Sequence, residues 1–305
     1  MANNIIAVDW GGTHVRACLL DLDIGEIGTI RHEKIAYVKG DENFDNLKNI
    51  LGDWLRDYQH APLYLCGMIG SREGWVDAGY VECPSGLDEI FDAVKIIEHE
   101  GRGIYFIPGI KSLANDGLYD DVMRGEETQI LGVIVRDRAT QILCLPGTHS
   151  KWAIVENAKI QQFYTFMTGE LYKLMSQYSI LRYSIASNRP KVCDAFHLGL
   201  TEAKADIGIL SRLFSLRAMD IGGKFAANDA PSYLSGLLLG SEIQGALNVM
   251  PTQSITLVGD GAQIDMYETA LKFFGLNVSR PDGDTAVFIG LGAIARMNKT
   301  RGISG

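Results

Sequence analysis

Two short turns carry glycine, hydroxyl and imidazole groups in the same order. The first, DWGGTHVR (residues 9–16), sets Asp9, Gly11, Gly12, Thr13, His14 and Arg16 at the end of an apolar run. The second, PGTHSKW (146–152), repeats the order at Gly147, Thr148 and His149 and adds Lys151. Glycines let the backbone turn sharply and present successive N–H groups to an anion. The Thr and His side chains add donors. A carboxylate such as Asp9 suits a hydrated Mg2+, a hard cation that takes oxygen ligands. A lysine beside such a turn suits a transferring phosphoryl group. Taken alone, each turn is equally a β-hairpin, with Asp9 as turn former and Lys151 solvated. Two of them at matching places favour a phosphate site.

LVGDGAQ (257–263) runs an apolar strand through Gly259, Asp260 and Gly261 into a helix. Its glycines leave room for a flat base, and a helix N-terminus favours anions. The patterns GxxxxGK[ST] and GxGxxG are absent, which excludes a P-loop and disfavours a dinucleotide fold. RGEETQ (124–129) pairs Glu126 and Glu127 next to Arg124. Either acid suits a general base for a hydroxyl, and both are equally first-turn acids of a helix. A guanidinium presents a planar fork to a carboxylate. Arg16, Arg72 (with Glu73 beside it) and Arg124 are therefore candidates for an acidic substrate, each also readable as a surface ion pair. Glu170 is either a helix N-terminal acid or a substrate contact. His14 and His149 lack metal-ligand spacing, and no G-x-S-x-G elbow supports hydrolase chemistry.

The elements that must hold these groups read as two α/β halves. Residues 4–9, 14–20 and 29–38 are strand-like runs with Gly turns, a β-meander. Helical spacing follows at 43–58, a short strand at 61–66, a helix at about 86–99 and a strand at 103–107. The order then repeats: a helix at 126–136, strands at 142–145, 151–157 and 160–168, and helices at about 169–178, 191–202, 206–217 and 231–249. A strand at 254–259 and helices at 262–274 and 284–297 complete the chain. The expected domains are 1–120 and 121–305, packed across a cleft, with 231–249 a buried interdomain or dimer helix.

The chain has 305 residues, enough for two cores. Its net charge of −9 argues against a nucleic-acid or anionic-membrane surface, and requires local donors for any anionic ligand. No apolar run reaches membrane-spanning length. Five scattered cysteines without a framework fit reduced thiols and a cytoplasmic protein.

The three turns, in this order, resemble the phosphate-1, phosphate-2 and adenosine motifs of the actin/hexokinase ATPase superfamily. DWGGTHVRA, GMIGSREGWVDAGY, RGEETQILG, LPGTHSKW, TFMTGELYKLM and LVGDGAQIDMYETAL together are similar to the 2-dehydro-3-deoxygalactonokinase family over nearly the whole chain. The resemblance implies two ribonuclease H-like domains and ATP with Mg2+ as cofactors. It implies transfer of the γ-phosphate to the 6-hydroxyl of a keto-deoxy sugar acid in galactonate catabolism. Kinases of the glycerol/xylulose type carry Gly-Asp-Gln where Glu126 and Glu127 stand, its Asp the base, and an Arg-Glu pair at the place of Arg72 and Glu73. Two alternatives stay open: a kinase for another sugar acid such as 2-keto-3-deoxygluconate, and a non-catalytic ATP-binding regulator. A homodimer is compatible with the sequence.

Overall fold

The computed structural model describes residues 4–113, 120–185, 189–205, 207–226, 229–259 and 261–301. In the first part of the chain, Asn4–Trp10 (β1), Val15–Asp21 (β2) and Arg31–Glu33 (β3) precede the helix Glu42–Asp57 (α1) and Leu63–Cys66 (β4). Tyr80–Glu82 (β5), Ser85–Gly86 (β6), Leu87–Asp92 (α2), Lys95–His99 (β7), Arg102–Phe106 (β8), Gly109–Ser112 (β9) and Asp121–Met123 (β10) come next. Glu126–Arg136 (α3) leads to Gln141–Leu145 (β11), Ser150–Glu156 (β12) and Lys159–Phe166 (β13). Four helices follow, Thr168–Tyr178 (α4), Asp194–Ala203 (α5), Ile209–Ile221 (α6) and Ala230–Val249 (α7). Ser254–Leu257 (β14), Ala262–Phe273 (α8), Asn277–Ser279 (β15) and Gly283–Arg301 (α9) end the chain.

Two six-stranded sheets share one logic. In the first the order is β3-β2-β1-β4-β8-β7; in the second it is β15-β14-β11-β12-β13-β6. Each places the first strand of its meander inside, the second and third strands to one side, and two later strands to the other (β4 and β8, β14 and β15). The sixth strand is β7 beyond β8 in the first sheet and β6 beyond β13 in the second. β1 runs antiparallel to β2 and parallel to β4, and β11 runs parallel to β14. A central strand paired on both sides cannot shift register without exposing its apolar face. The turns that leave β1 and β11 are thus fixed points. This is the α/β architecture of two ribonuclease H-like, actin-like ATPase domains.

The helix expected at 86–99 is two elements. α2 ends at Asp92, and Lys95-Ile-Ile-Glu-His99 pairs antiparallel with β8. Glu100 and Gly101, both with positive φ, make the two-residue hairpin. The adjacent β-branched Ile96 and Ile97 favour a strand, which the helical reading passed over. The run at 29–38 is strand only over β3.

By contact density the chain forms two compact units, each non-contiguous in sequence. One takes Met1–Thr140, Val155–Phe163 and Asp282–Gly305; the other takes Gln141–Ile154 and Tyr164–Pro281. In the first unit Trp10, Phe44, Trp75 and Phe106 share the core between the β1 sheet and α1. There α3 and α9 cross so closely that a Cβ on Gly132 would strike the Ala286 carbonyl, and one on Gly290 the Thr128 carbonyl. In the second unit α5 and α7 cross the same way, Gly199 lying on Tyr233 and Gly236 on Phe196. α7 is buried within this unit against α5, α6, α4 and α8, and so forms its core. Among the described residues no helix is long and apolar enough to cross a membrane.

Candidate active site

In the first unit, chemistry gathers where β1 and β4 end and α3 begins. Asp9 lies at the last turn of β1, and its Oδ2 accepts from Arg16 Nη2 at 2.6 Å and Arg16 Nε at 3.1 Å. Its Oδ1 accepts from the Cys66 thiol, at 3.8 Å. Gly67, next in the chain, has φ +88, and a Cβ there would meet the Trp10 carbonyl at 2.6 Å and Asp9 Oδ1 at 3.3 Å. Gly125, at the start of α3 with φ +106, comes up against Gly67 in turn. Two left-handed glycines therefore bring the β4 exit and the α3 N-terminus onto Asp9, an approach that side chains would block.

The two candidate bases occupy different environments. Glu127 is fully buried; its carboxylate accepts from Gly125 N–H at 2.6 Å and from the Thr128 hydroxyl at 2.9 Å. Burial, then the Glu126 charge, pushes its carboxyl up to about 8. Glu126 is half-buried and accepts from the Arg124 N–H at 3.2 Å. Gly290 of α9, seated on Thr128, fixes this first turn of α3 from behind. Cys66 also neighbours this carboxylate. Burial first, then the charges of Asp9 and Glu127, pushes its thiol well up. A scattered cysteine gave no signal of that place in the sequence.

The three arginines separate. Arg16 is committed to Asp9. Arg72 is almost wholly exposed, 3.4 Å from Asp77, and Glu73 is exposed 3.7 Å from Lys39. Arg124 is buried, donates to the Gly79 carbonyl at 2.8 Å, and lies 4.3 Å over the Tyr80 ring, while its Nε and Nη1 have no hydrogen-bond partner among the described residues. Arg72, Glu73, Ser71, Tyr80 and Lys111 line an open cavity of about 660 Å3. The Ser71 hydroxyl in it is buried without a partner. Ser71 stands within GMIGSREGWVDAGY without being singled out, and Lys111 lies outside every motif; both were missed.

The Gly11–His14 turn closes with Gly11 N–H donating to the His14 carbonyl at 3.0 Å, and Thr13 Oγ1 lies 2.9 Å from His14 Nδ1. A Cβ on Gly12 would meet nothing, and one on Gly11 only ordinary contact. Neither glycine has positive φ. The fold does not demand them, and the space above Gly12 is open.

In the second unit Gly147 and Thr148 line a cavity of about 390 Å3 with Tyr172, Leu238, Met266 and Tyr267. The N-terminus of α4 is locked onto this turn. A Cβ on Gly169 would strike the Gly147 carbonyl at 2.6 Å, and Glu170 N–H donates to the Thr148 carbonyl at 3.0 Å. His149 Nε2 meets Glu170 Oε2 at 2.5 Å, so Glu170 serves the turn itself. Lys151 is buried on β12, its ammonium donating to Thr165 Oγ1 at 2.6 Å. Gly259 and Gly261 both have positive φ, at the exit of β14 and the start of α8; Asp260 lies outside the described residues.

Metal chemistry has few donors here. Among the described residues no three His, Cys, Asp or Glu groups are placed to hold a metal ion together. Mg2+ in phosphoryl transfer needs only one or two carboxylates, with phosphate oxygens completing its shell. Asp9, at the end of β1 and next to the open Gly11–Gly12 cradle, fits that lesser requirement.

The chain matches the 2-keto-3-deoxy-galactonokinase family over residues 9–294. It is 36% identical to a protein assigned as 2-dehydro-3-deoxygalactonokinase in Rhizobium meliloti, covering 95% of this chain and 96% of that one. It is 31% identical to the 2-dehydro-3-deoxygalactonokinase of Escherichia coli, covering 97% and 98%. A crystal structure of a protein assigned the same activity, from Sinorhizobium meliloti, superimposes with a TM-score of 0.87 at 35% identity, over 96% of this chain and 98% of that one. Matching sequence, matching fold and the paired Gly-Thr-His turns lead to one conclusion: the chain belongs to the 2-keto-3-deoxy-galactonokinase family.

Proposed function

We propose that the protein transfers the γ-phosphate of ATP to the 6-hydroxyl of 2-dehydro-3-deoxy-D-galactonate, giving the 6-phosphate and ADP, in galactonate breakdown. The enzyme class is a phosphotransferase with an alcohol acceptor. What carries the reading is the recurrence of a Gly-Thr-His turn at the exit of the central strand in two sheets of the same order.

Each region has a part in the chemistry. The cavity above Gly147 and Thr148 takes the nucleotide, its apolar Leu238 and Met266 side suiting the base and its turn the phosphates. Gly259 and Gly261, with Asp260, belong to the adenosine side. Gly11, Gly12, Thr13 and His14 cradle phosphate oxygens through backbone and side-chain donors. Asp9 would hold Mg2+, and when bound that ion neutralises charge on the phosphates. The cavity at Arg72, Glu73 and Lys111 takes the sugar acid, with cations for its carboxylate. Arg124 and Arg16 brace the walls from Gly79 and Asp9. Lys151, whose ammonium donates to Thr165, is the cation of the second turn.

Of the two acids, Glu126 is the one we assign as base. Glu127 is closed to substrate and protonated over much of the neutral range, whereas Glu126 is partly open. As O6 attacks phosphorus, its proton passes to the Glu126 carboxylate and the bond from the γ-phosphorus to the bridging oxygen of ADP breaks. We assign the acceptor site to the unit that holds residues 1–120 and the nucleotide site to the unit that holds most of 121–305. The compartment we propose is the cytoplasm. A coupled ADP-release assay over keto-deoxy sugar acids tests the reading. The expected result is turnover with Mg-ATP that is greatest for the galacto epimer. No turnover on any sugar acid would overturn the kinase reading, and preference for the gluco epimer would overturn the substrate.

A further inference from the structure

One buried acid has no part in the chemistry above. Glu242 sits midway along α7, in a helix otherwise buried on apolar and small residues, and is only 3% exposed. An unpaired carboxylate there would be strongly destabilising. It is instead met by donors from three other elements. Trp152 Nε1 donates to Oε1 at 2.8 Å, and Tyr267 Oη and Ser150 Oγ donate to Oε2 at 2.9 and 3.2 Å. The Thr168 hydroxyl is a fourth partner. Ser150 and Tyr267 also meet at 2.6 Å.

These donors are not scattered through the core. Thr168 and Tyr267 both line the cavity that also exposes Gly147 and Thr148. Ser150 ends the Gly-Thr-His turn, and Thr168 starts the helix whose Gly169 is packed on that turn. The carboxylate thus ties α7 to β12, to the first residue of α4 and to α8, the structures that surround one cavity. We propose that Glu242 is a positioning residue of the nucleotide site, acting through the hydroxyls of Tyr267 and Thr168 and through Ser150. The proposal rests on the reading of that cavity as the nucleotide site.

An acceptor is what the position requires. A glutamine puts an NH2 group where a carboxylate oxygen accepts, so the hydroxyls that donate there must accept instead and re-aim their own protons. The role is one of orientation and does not depend on titration. Burial raises the Glu242 carboxyl, and its four donors oppose the rise.

Calorimetric titration with ADP, beside a thermal melt, tests this. Glu242→Gln should weaken ADP about tenfold or more, raise KM for ATP, and leave KM for the sugar acid unchanged. In a Tyr267→Phe background the same substitution should cost less than about threefold, because the route through Tyr267 is already gone. A lower Tm with ADP affinity like wild type in Glu242→Gln would overturn the proposal. If that variant does not fold, Tyr267→Phe and Thr168→Val carry the test, and wild-type ADP affinity in both would overturn it. Gly147→Val, which fills the cavity mouth, separates the two layers. If it leaves ADP binding untouched, the cavity is not the nucleotide site and the proposal falls with that reading. If it abolishes binding while Glu242→Gln does nothing, only the positioning role falls.

Discussion

The turn after β1 and the turn after β11 share Gly-Thr-His and a place in their sheets, yet they are supported in different ways. The first is open: its glycines touch little, and its neighbours are charged, with Asp9 held by Arg16 and Cys66 and with Glu127 close by. The second is braced: Gly169 packs against it, Glu170 bonds it twice, and the Glu242 cluster sits behind it. One turn is shaped by electrostatics and the other by packing. Substitutions in the first should therefore act on turnover with little effect on folding, and those in the second on both.

The largest effect is expected at Asp9. Asp9→Ala removes the one carboxylate we assign to Mg2+ and should lower kcat by at least about a hundredfold, with the melt nearly unchanged. Steady-state assays over a Mg2+ titration check it, and wild-type turnover would break the charged half of the comparison. Next, Glu126→Gln should cost roughly a hundredfold in kcat with little change in KM. A loss under about tenfold would remove Glu126 as base.

The glycines sharpen the contrast. Gly12→Ala adds a Cβ into empty space, so Tm should stay and kcat/KM for ATP should fall about tenfold as the cradle fills. Gly169→Ala places a Cβ 2.6 Å from the Gly147 carbonyl and 2.8 Å from Thr148 Cα, so α4 must move. Its Tm should drop by several degrees along with ATP binding. Equal melts for the two variants would end the distinction.

The difference between the turns also marks what a sequence discloses. Local signals were legible: the Gly-Thr-His turns, the meanders, and α3, which spans 126–136 as the helical spacing predicts. The interval at 86–99 was not, because a six-residue helix gives way within two residues to a strand that carries a helix-compatible pattern, and only the Glu-Gly hairpin after it pairs that strand with β8. Charged residues were legible as types but not as partners. Arg16, Arg72 and Arg124 look alike in the chain; the β1–β2 hairpin sets Arg16 opposite Asp9, seven residues away, while tertiary packing leaves Arg72 in solvent and puts Arg124 over Tyr80. Glu242 was invisible for the same reason. Its partners lie at sequence separations of 92, 90 and 25 residues.

Glu127 gives a pH-resolved measurement on the charged side. Its carboxyl stands at about 8 in the fold and near the ordinary value of about 4.3 in the unfolded chain. Between those values the folded state holds the extra proton, so its contribution to stability falls as pH rises. Glu127→Gln drops the titration and keeps one carbonyl oxygen for the Gly125 N–H, with its NH2 group donating to the Thr128 hydroxyl. From pH 5 to pH 8 the variant should gain several degrees of Tm relative to wild type. A gap that stays flat over that range would mean an ionised Glu127, and a second charged carboxylate beside Asp9.

The smallest effect should be at the imidazoles, and it bears most directly on the comparison. His149 bonds Glu170 with both side chains substantially exposed, 49% and 36%, where an ion pair or hydrogen bond contributes at most about 1 kcal/mol. Gly169 and the Glu170 N–H hold α4 on the turn without it. His149→Ala should therefore raise KM for ATP only about twofold to threefold. His14 has no such helix behind it; its described side-chain bond is to Thr13, one residue away in the same turn. If the first turn depends on its own donors, His14→Ala should cost more than His149→Ala in the same assay. The reverse order would mean that the open turn is held by something other than its own side chains, and that bracing by packing is not what separates the two.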